Sequence, residues 1–206
     1  MAKKAGARAG TDGAQIKRIV REATRLFALK GYHATGVAEI GNAVGLGAGA
    51  LYHHIGSKEE LLYLICRAHV EDTLPAAREV QASSLPAPEK LRFLAQQHMD
   101  VVANRPLELL VTLREMRSLS PHRRNELSRR RAEVEQIWES VVSDGMEKGE
   151  LPQLDPLFVK VAIGALNYSV YWYRPDNTQS PHEVADKMMS CLLPTQILPE
   201  ALQKSS

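Results

Sequence analysis

From Thr35 to Leu62 the chain reads TGVAEIGNAVGLGAGALYHHIGSKEELL, and the position of its glycines leaves little choice of local structure. Val37, Ile40 and Val44 make one short apolar stripe at helical spacing, Gly45 interrupts it, and Leu46, Leu51 and Ile55 begin another. The pattern predicts two short helices around a tight turn. Helices that cross so closely favour a small residue facing the partner, here Gly41, and a turn residue able to take positive φ, here Gly45. Ile40, Val44, Leu46 and Leu51 then occupy the apolar places flanking the turn. Ser57 followed by Glu60 matches a capping box and predicts the start of a long fourth helix.

Helical periodicity continues on both sides. Ile16, Ile19, Val20, Ala23, Leu26 and Phe27 predict a first helix from about 12 to 30, closed by Gly31. Leu91, Leu94, Ala95, His98 and Val102 predict a fifth helix, Leu107, Leu110, Val111 and Met116 a sixth, and Val134, Ile137, Trp138, Val141, Val142 and Gly145 a seventh. Prolines at 75, 86, 88, 106, 121, 152, 156, 175 and 181 are read as punctuation, because helix interiors disfavour them. From Asp155 to Tyr173 the pattern is apolar nearly all round, so the helix expected there needs cover on two sides. A second copy of the chain can give it, with a helix over 181–202 carrying Val184, Met188, Met189, Leu192 and Leu193 as its neighbour in the same homodimer interface. No segment alternates as a strand does. The expectation is an all-α chain of about nine helices, with a three-helix head and a helical body.

The 206 residues suffice for one large or two small domains, and 44% hydrophobic with 24% charged is ordinary globular composition. Cys66 and Cys191 each stand apart from any ligand-spaced Cys or His, so neither a disulfide framework nor a metal site is expected. With no signal-peptide pattern and no apolar run of spanning length, a cytoplasmic protein without membrane segments is expected. No phosphate loop, nucleophile elbow, HExxH or paired-carboxylate motif points to an enzyme, and no cofactor is implied. Charge is unevenly spread. Residues 1–58 hold nine Lys/Arg against three acids, a balance of +6, whereas the remainder holds 17 against 21, a balance of −4. An anion-facing N-terminal module joined to a near-neutral body fits this, as does a solvated basic face.

The amphipathic first helix, the turn glycine, GALYHH at 49–54 and SKEELL at 57–62 follow one another as in the TetR family of bacterial transcriptional regulators, which this chain resembles. The Gly/Ala-rich segment 1–10, with Lys3, Lys4 and Arg8, has the composition of a flexible basic arm that settles into a minor groove, or of a disordered terminus with no role. The resemblance implies a helix-turn-helix DNA-binding domain over 11–56 and a ligand-binding, dimerising domain over 57–206. It implies a repressor that binds double-stranded operator DNA as a homodimer and is released by a small molecule. Matching positions make Thr35, Ala48, Gly49, Ala50, Tyr52, His53 and Lys58 candidate DNA contacts, joined by Lys3, Lys4 and Arg8 of the arm. Departures matter too. Gly36, Ala38, Gly47, Ala48 and Ala50 stand where relatives often carry hydrogen-bonding side chains. Bidentate base contacts, worth about 1–3 kcal/mol each, therefore have few donors. Readout then rests on thymine-methyl contacts from Ala48 or Ala50, on DNA shape and on the arm.

In the body the resemblance implies a small-molecule site between helices, for which His98, Val102, Met116, Arg117, Trp138, Asn167, Tyr168 and Tyr171 are the candidates. Its aromatic residues can equally make a solid core. The ending NYSVYWYRPDNTQSPHEVADKM, 167–188, is similar to that of a branch responding to acyl-CoA thioesters of lipid or steroid breakdown. The alternative is a regulator of efflux or stress genes that answers to an apolar or cationic drug-like ligand. Arg114, Arg117, His122, Arg123, Arg124, Arg129, Arg130 and Arg131 can hold the phosphates of CoA or form a solvated face paired with Glu115, Glu126, Glu133 and Glu135.

Overall fold

The computed structural model describes residues 2–176 and 178–193, and the side chains of 2–12 and of Asp72 lie outside that description. Among the described residues there are nine α-helices, two short 3-10 turns and no strand. The chain divides into two compact units, one of residues 1–68 and 110–126, the other of 69–109 and 127–206.

The first unit is built on α1 (Ala2–Lys30), α2 (Val37–Ala43) and α3 (Ala48–Ile55), which pack on one another. Ile19, Ala23, Leu26 and Phe27 are buried along one face of α1, as i, i+4, i+7, i+8 spacing requires. The helix ends at Gly31, whose φ of 89° lets its N–H reach the Phe27 carbonyl at 2.9 Å. Ile40, Val44, Leu51 and Ile55 complete this small core. Between α2 and α3, Gly45 takes φ 66° and the Leu46 N–H donates to the Gly41 carbonyl at 2.8 Å. A Cβ on Gly41 would stand 2.6 Å from the Leu46 carbonyl oxygen, so only glycine lets the turn close this tightly.

The same unit takes in the start of α4 (Lys58–Ala82), the end of α6 (Pro106–Glu115), a 3-10 turn at Met116–Ser118 and the start of α7 (Pro121–Glu147). Leu61, Leu62, Ile65 and Cys66 are fully buried on α4. Half of the expected capping box forms: Ser57 Oγ accepts from the Glu60 N–H at 3.0 Å, while the Glu60 carboxylate turns away to bind Arg123. Polar ties reinforce the packing. Glu115 accepts from the Tyr32 N–H at 3.2 Å, Glu59 from the Ser120 N–H at 2.9 Å, and the Arg123 guanidinium lies 4.7 Å from the Tyr63 ring centre.

In the second unit α5 (Ala87–Asn104) packs along α9 (Pro181–Leu192), and α8 (Phe158–Tyr168) packs on both. Leu91, Leu94, Ala95 and Met99 of α5 face Val184, Ala185 and Met189 of α9 in a continuous core. One buried carboxylate joins the two helices. Asp186 accepts from Arg92 at 2.8 and 2.9 Å and from Gln96 at 2.8 Å. A complete capping box opens α9, with Ser180 Oγ accepting from Glu183 N–H and the Glu183 carboxylate from Ser180 N–H. Near the end of α7, a Cβ on Gly145 would lie 2.5 Å from Ala87 Cβ, so this glycine is set by packing.

Several boundaries differ from the sequence reading. Helix α1 begins at Ala2, well before the start expected at about 12, and the side chains of Lys3, Lys4 and Arg8 lie outside the described residues. Pro75 stands inside α4 and does not end it, held between the buried Leu74 and Ala77. The helix expected over 155–173 is α8 from Phe158 to Tyr168 followed by a 3-10 turn at Ser169–Tyr171, where Ser169 Oγ donates to the Leu166 carbonyl at 2.6 Å. Of the helix expected over 181–202, residues 194–202 lie outside the described residues.

Candidate functional site

The face of α3 opposite its buried Leu51 and Ile55 presents Ala48, Gly49, Ala50, Tyr52 and His53, all exposed. This is the one short helix of the first unit whose outer side is made of methyls, a glycine and two ring side chains. Tyr52 is 47% exposed, so its hydroxyl is free to reach outward, and His53 meets His54 edge to face at 5.8 Å between ring centres. Two other DNA candidates are placed differently. Thr35 is fully buried and its hydroxyl donates to the Gly31 carbonyl at 2.9 Å, closing the end of α1. Lys58 Nζ lies 4.4 Å from the Tyr32 ring centre, and burial there lowers its pKa against the opposing pull of Glu115.

The second unit encloses a cavity of about 280 Å³. His69, Val70 and Thr73 of α4 form one wall and His98 of α5 another. Arg131, Glu135 and Trp138 line it from α7, and Ile163 and Asn167 from α8. Both imidazoles are held neutral. Burial, with His98, Arg131 and Arg105 adding repulsion, pushes His69 down to about 3, and burial outweighs the Asn167 hydrogen bond to push His98 down to about 4, with Arg131 contributing least. Nδ1 of His69 and Nε2 of His98 are buried and have no hydrogen-bond partner in the protein.

Of the eight ligand candidates read from the sequence, the structure brings His98, Trp138 and Asn167 together at this cavity. Val102 is buried but does not line it, Met116 and Arg117 belong to the first unit, and Tyr168 and Tyr171 point outward, 65% and 47% exposed. Of the arginine-rich run only Arg131 reaches the cavity wall; Arg123 binds Glu60, Arg130 lies 3.5 Å from Glu71, and Arg114 donates to the Ala28 carbonyl at 3.3 Å. Leu157, Val161, Tyr168 and Trp172 form an exposed apolar stripe along α8 and the turn after it.

Residues 19–63 match the family model described as bacterial regulatory proteins, tetR family, and residues 84–195 match that of the tetracyclin repressor-like C-terminal domain. The chain belongs to the TetR family. Similar curated proteins include the HTH-type transcriptional repressor KstR2 of Mycobacterium tuberculosis, 26% identical over 188 residues that cover 90% of this chain and 94% of that one. The KstR2 of Rhodococcus jostii is 29% identical over 83% of this chain and 85% of its own. Among solved structures, the TetR regulator PfmR from Thermus thermophilus superposes with a TM-score of 0.78 at 32% identity, covering 85% of this chain and 97% of that one. AibR, solved in complex with isovaleryl coenzyme A and operator DNA, gives 0.77 at 25% identity, covering 87% and 98%. These relatives are transcriptional regulators and not enzymes.

For a TetR protein the sequence signal was strong at α3 and weak in the body. His69, Val70, Thr73, Glu135 and Ile163 escaped the reading of ligand-site residues, and Arg131 entered it only as one of eight cations for the phosphates of CoA. The available cue was the helical spacing of His69 from Leu62, Ile65 and Cys66, which puts it on the apolar side of α4.

Proposed function

We propose that this TetR protein is a repressor that grips operator DNA as a homodimer and releases it when an acyl-CoA thioester enters the body cavity. The observation that carries the reading is the outward face of α3, where Leu51 and Ile55 are sealed in while Ala48, Gly49, Ala50, Tyr52 and His53 are offered to a partner. Laid in a major groove, such a helix puts the Tyr52 hydroxyl and a His53 ring N–H beside phosphates, Gly49 lets the backbone approach, and the methyls of Ala48 and Ala50 meet thymine methyls. The exposed stripe of Leu157, Val161, Tyr168 and Trp172 supports dimerisation through α8, with α9 beside it.

Release follows from differential binding. Operator half-sites lie about one turn, roughly 34–36 Å, apart, so the two reading helices must keep that spacing. Helix α4 is continuous from Lys58 to Ala82 and carries His69, Val70 and Thr73 at the cavity wall. An effector that fits only one setting of α4 favours that setting and weakens operator binding accordingly. The acyl-CoA class is supported by the AibR complex. A cavity of about 280 Å³ suits an acyl group, with the much larger coenzyme outside it. Retardation of the DNA upstream of the protein's own coding sequence, at physiological salt, tests the reading. Nanomolar binding, a symmetric footprint and release by acyl-CoA are expected; weak, length-dependent binding refutes it.

A further inference from the structure

The polar groups of the cavity come from four helices, and a plain hydrocarbon chain would satisfy none of them. His69 Nδ1 on α4 and His98 Nε2 on α5 are buried with no partner in the protein, a condition that native structures rarely leave unused. Arg131 lines the same cavity from α7 and, among the described residues, forms no ion pair, whereas the neighbouring Glu135 carboxylate is bound by Lys160. Asn167 adds an amide from α8. Val70, Trp138 and Ile163 supply the apolar part of the wall.

We propose that the enclosed end of the effector carries an ionised carboxylate, received by His69, His98, Arg131 and Asn167. The inference rests on the reading of this cavity as the effector site and narrows its ligand class. A carboxylate is an acceptor with two oxygens and about four lone-pair positions, which matches a guanidinium fork, two imidazoles and an amide NH₂. Neutral His69 can take the tautomer that places its N–H at the unpartnered Nδ1, and an Asn167 amide turned to donate to the other ring nitrogen of His98 leaves that ring's N–H at Nε2, so both rings donate without adding charge. Arg131 is then the one cation left to be neutralised by the ligand. A hydroxyl or keto oxygen would accept fewer of these bonds and leave the half-buried Arg131 charge without a counter-ion at the cavity wall. Two sources share this chemistry: a free carboxylic acid, and a dicarboxylic acid esterified to CoA at its other end.

Calorimetric titration of the full-length protein without DNA tests the inference with shape-matched pairs. Adipoyl-CoA is compared with hexanoyl-CoA, and hexanoate with hexanamide. The expected result is about 10- to 100-fold tighter binding of the carboxylate member in at least one pair, the pair that responds identifying the source. That preference should collapse in Arg131→Gln. Equal or weaker binding of both carboxylate members, or no binding by either, overturns the inference. Operator release is scored separately. A carboxylate preference without release sinks the effector reading and leaves this inference standing, whereas release by hexanoyl-CoA as readily as by adipoyl-CoA, with hexanoate no better than hexanamide, does the reverse.

Discussion

Replacing Gly41 by alanine puts a methyl where the structure has no room for one. Its Cβ would stand 2.6 Å from the Leu46 carbonyl oxygen and 3.7 Å from Leu51 Cδ2. The first neighbour is backbone and cannot swing aside, so α2 and the turn must separate by several tenths of an ångström. Such overpacking costs about 1–3 kcal/mol, and stretching the Leu46 N–H bond to the Gly41 carbonyl adds up to about 1 kcal/mol. The better helix propensity of alanine returns about 1 kcal/mol. The net expectation is a loss of roughly 1–2 kcal/mol, confined to the first unit, together with weaker operator binding because α3 is prised from its bed. Gly49→Ala is the matched control. Nothing lies within 4 Å of its Cβ, so it should keep or raise stability while still weakening operator binding if the backbone approaches DNA there as proposed. Urea denaturation followed by circular dichroism and gel retardation measure the two quantities. Wild-type stability and wild-type operator affinity in Gly41→Ala would refute the reasoning.

Stability should fall in acid through the cavity histidines. With folded values of about 3 for His69 and about 4 for His98 against about 6.5 unfolded, the unfolded chain binds more protons between these limits. Their contribution is whole above about pH 6.5 and is lost as pH drops through 6.5 towards 4, and His98→Gln should flatten denaturation midpoints measured over that window. Val161→Arg, placed on the exposed stripe of α8, should move the light-scattering mass from that of two chains to the 22.8 kDa of one; an unchanged dimer would locate the interface elsewhere. Deleting residues 2–10 removes Lys3, Lys4 and Arg8 and should lower operator affinity and shallow its salt dependence by up to about 0.9 per lost phosphate contact, while unchanged values on both counts dismiss the arm. Tyr52→Phe should weaken retardation severalfold without altering the melting temperature, because the ring is half exposed.

The helices and the turn were legible because each rests on a local signal. Ile19, Ala23, Leu26 and Phe27 repeat along one face, and Gly45 and Gly31 take the positive φ that their places demand. What failed depends on contacts far along the chain. Glu60 has the spacing of a capping partner, yet Arg123, 63 residues on, draws its carboxylate away. Pro75 reads as a terminator, but Leu74 and Ala77 are buried on either side and α4 runs through it. Thr35 looks like an outward contact and is instead turned in towards Gly31. At the cavity, Trp138 and His98 were readable as inward residues of long helices and Asn167 only through the family resemblance, whereas Arg131 is one of many arginines in its run and nothing local marks it as the one at the cavity wall. Tyr168 and Tyr171 are aromatic residues that the chain leaves exposed, away from the cavity lining.

The near-bare surface of α3 has an evolutionary corollary. If α3 reads the operator as proposed, its two alanines and one glycine check few letters with a dedicated side chain, and base swaps should be tolerated. An altered gap should not be. One inserted base pair between half-sites rotates the second by about a tenth of a revolution and carries it away from its protomer. Drift among promoters controlled by such a protein should therefore appear as substitutions within each arm of the palindrome and almost never as insertions between them.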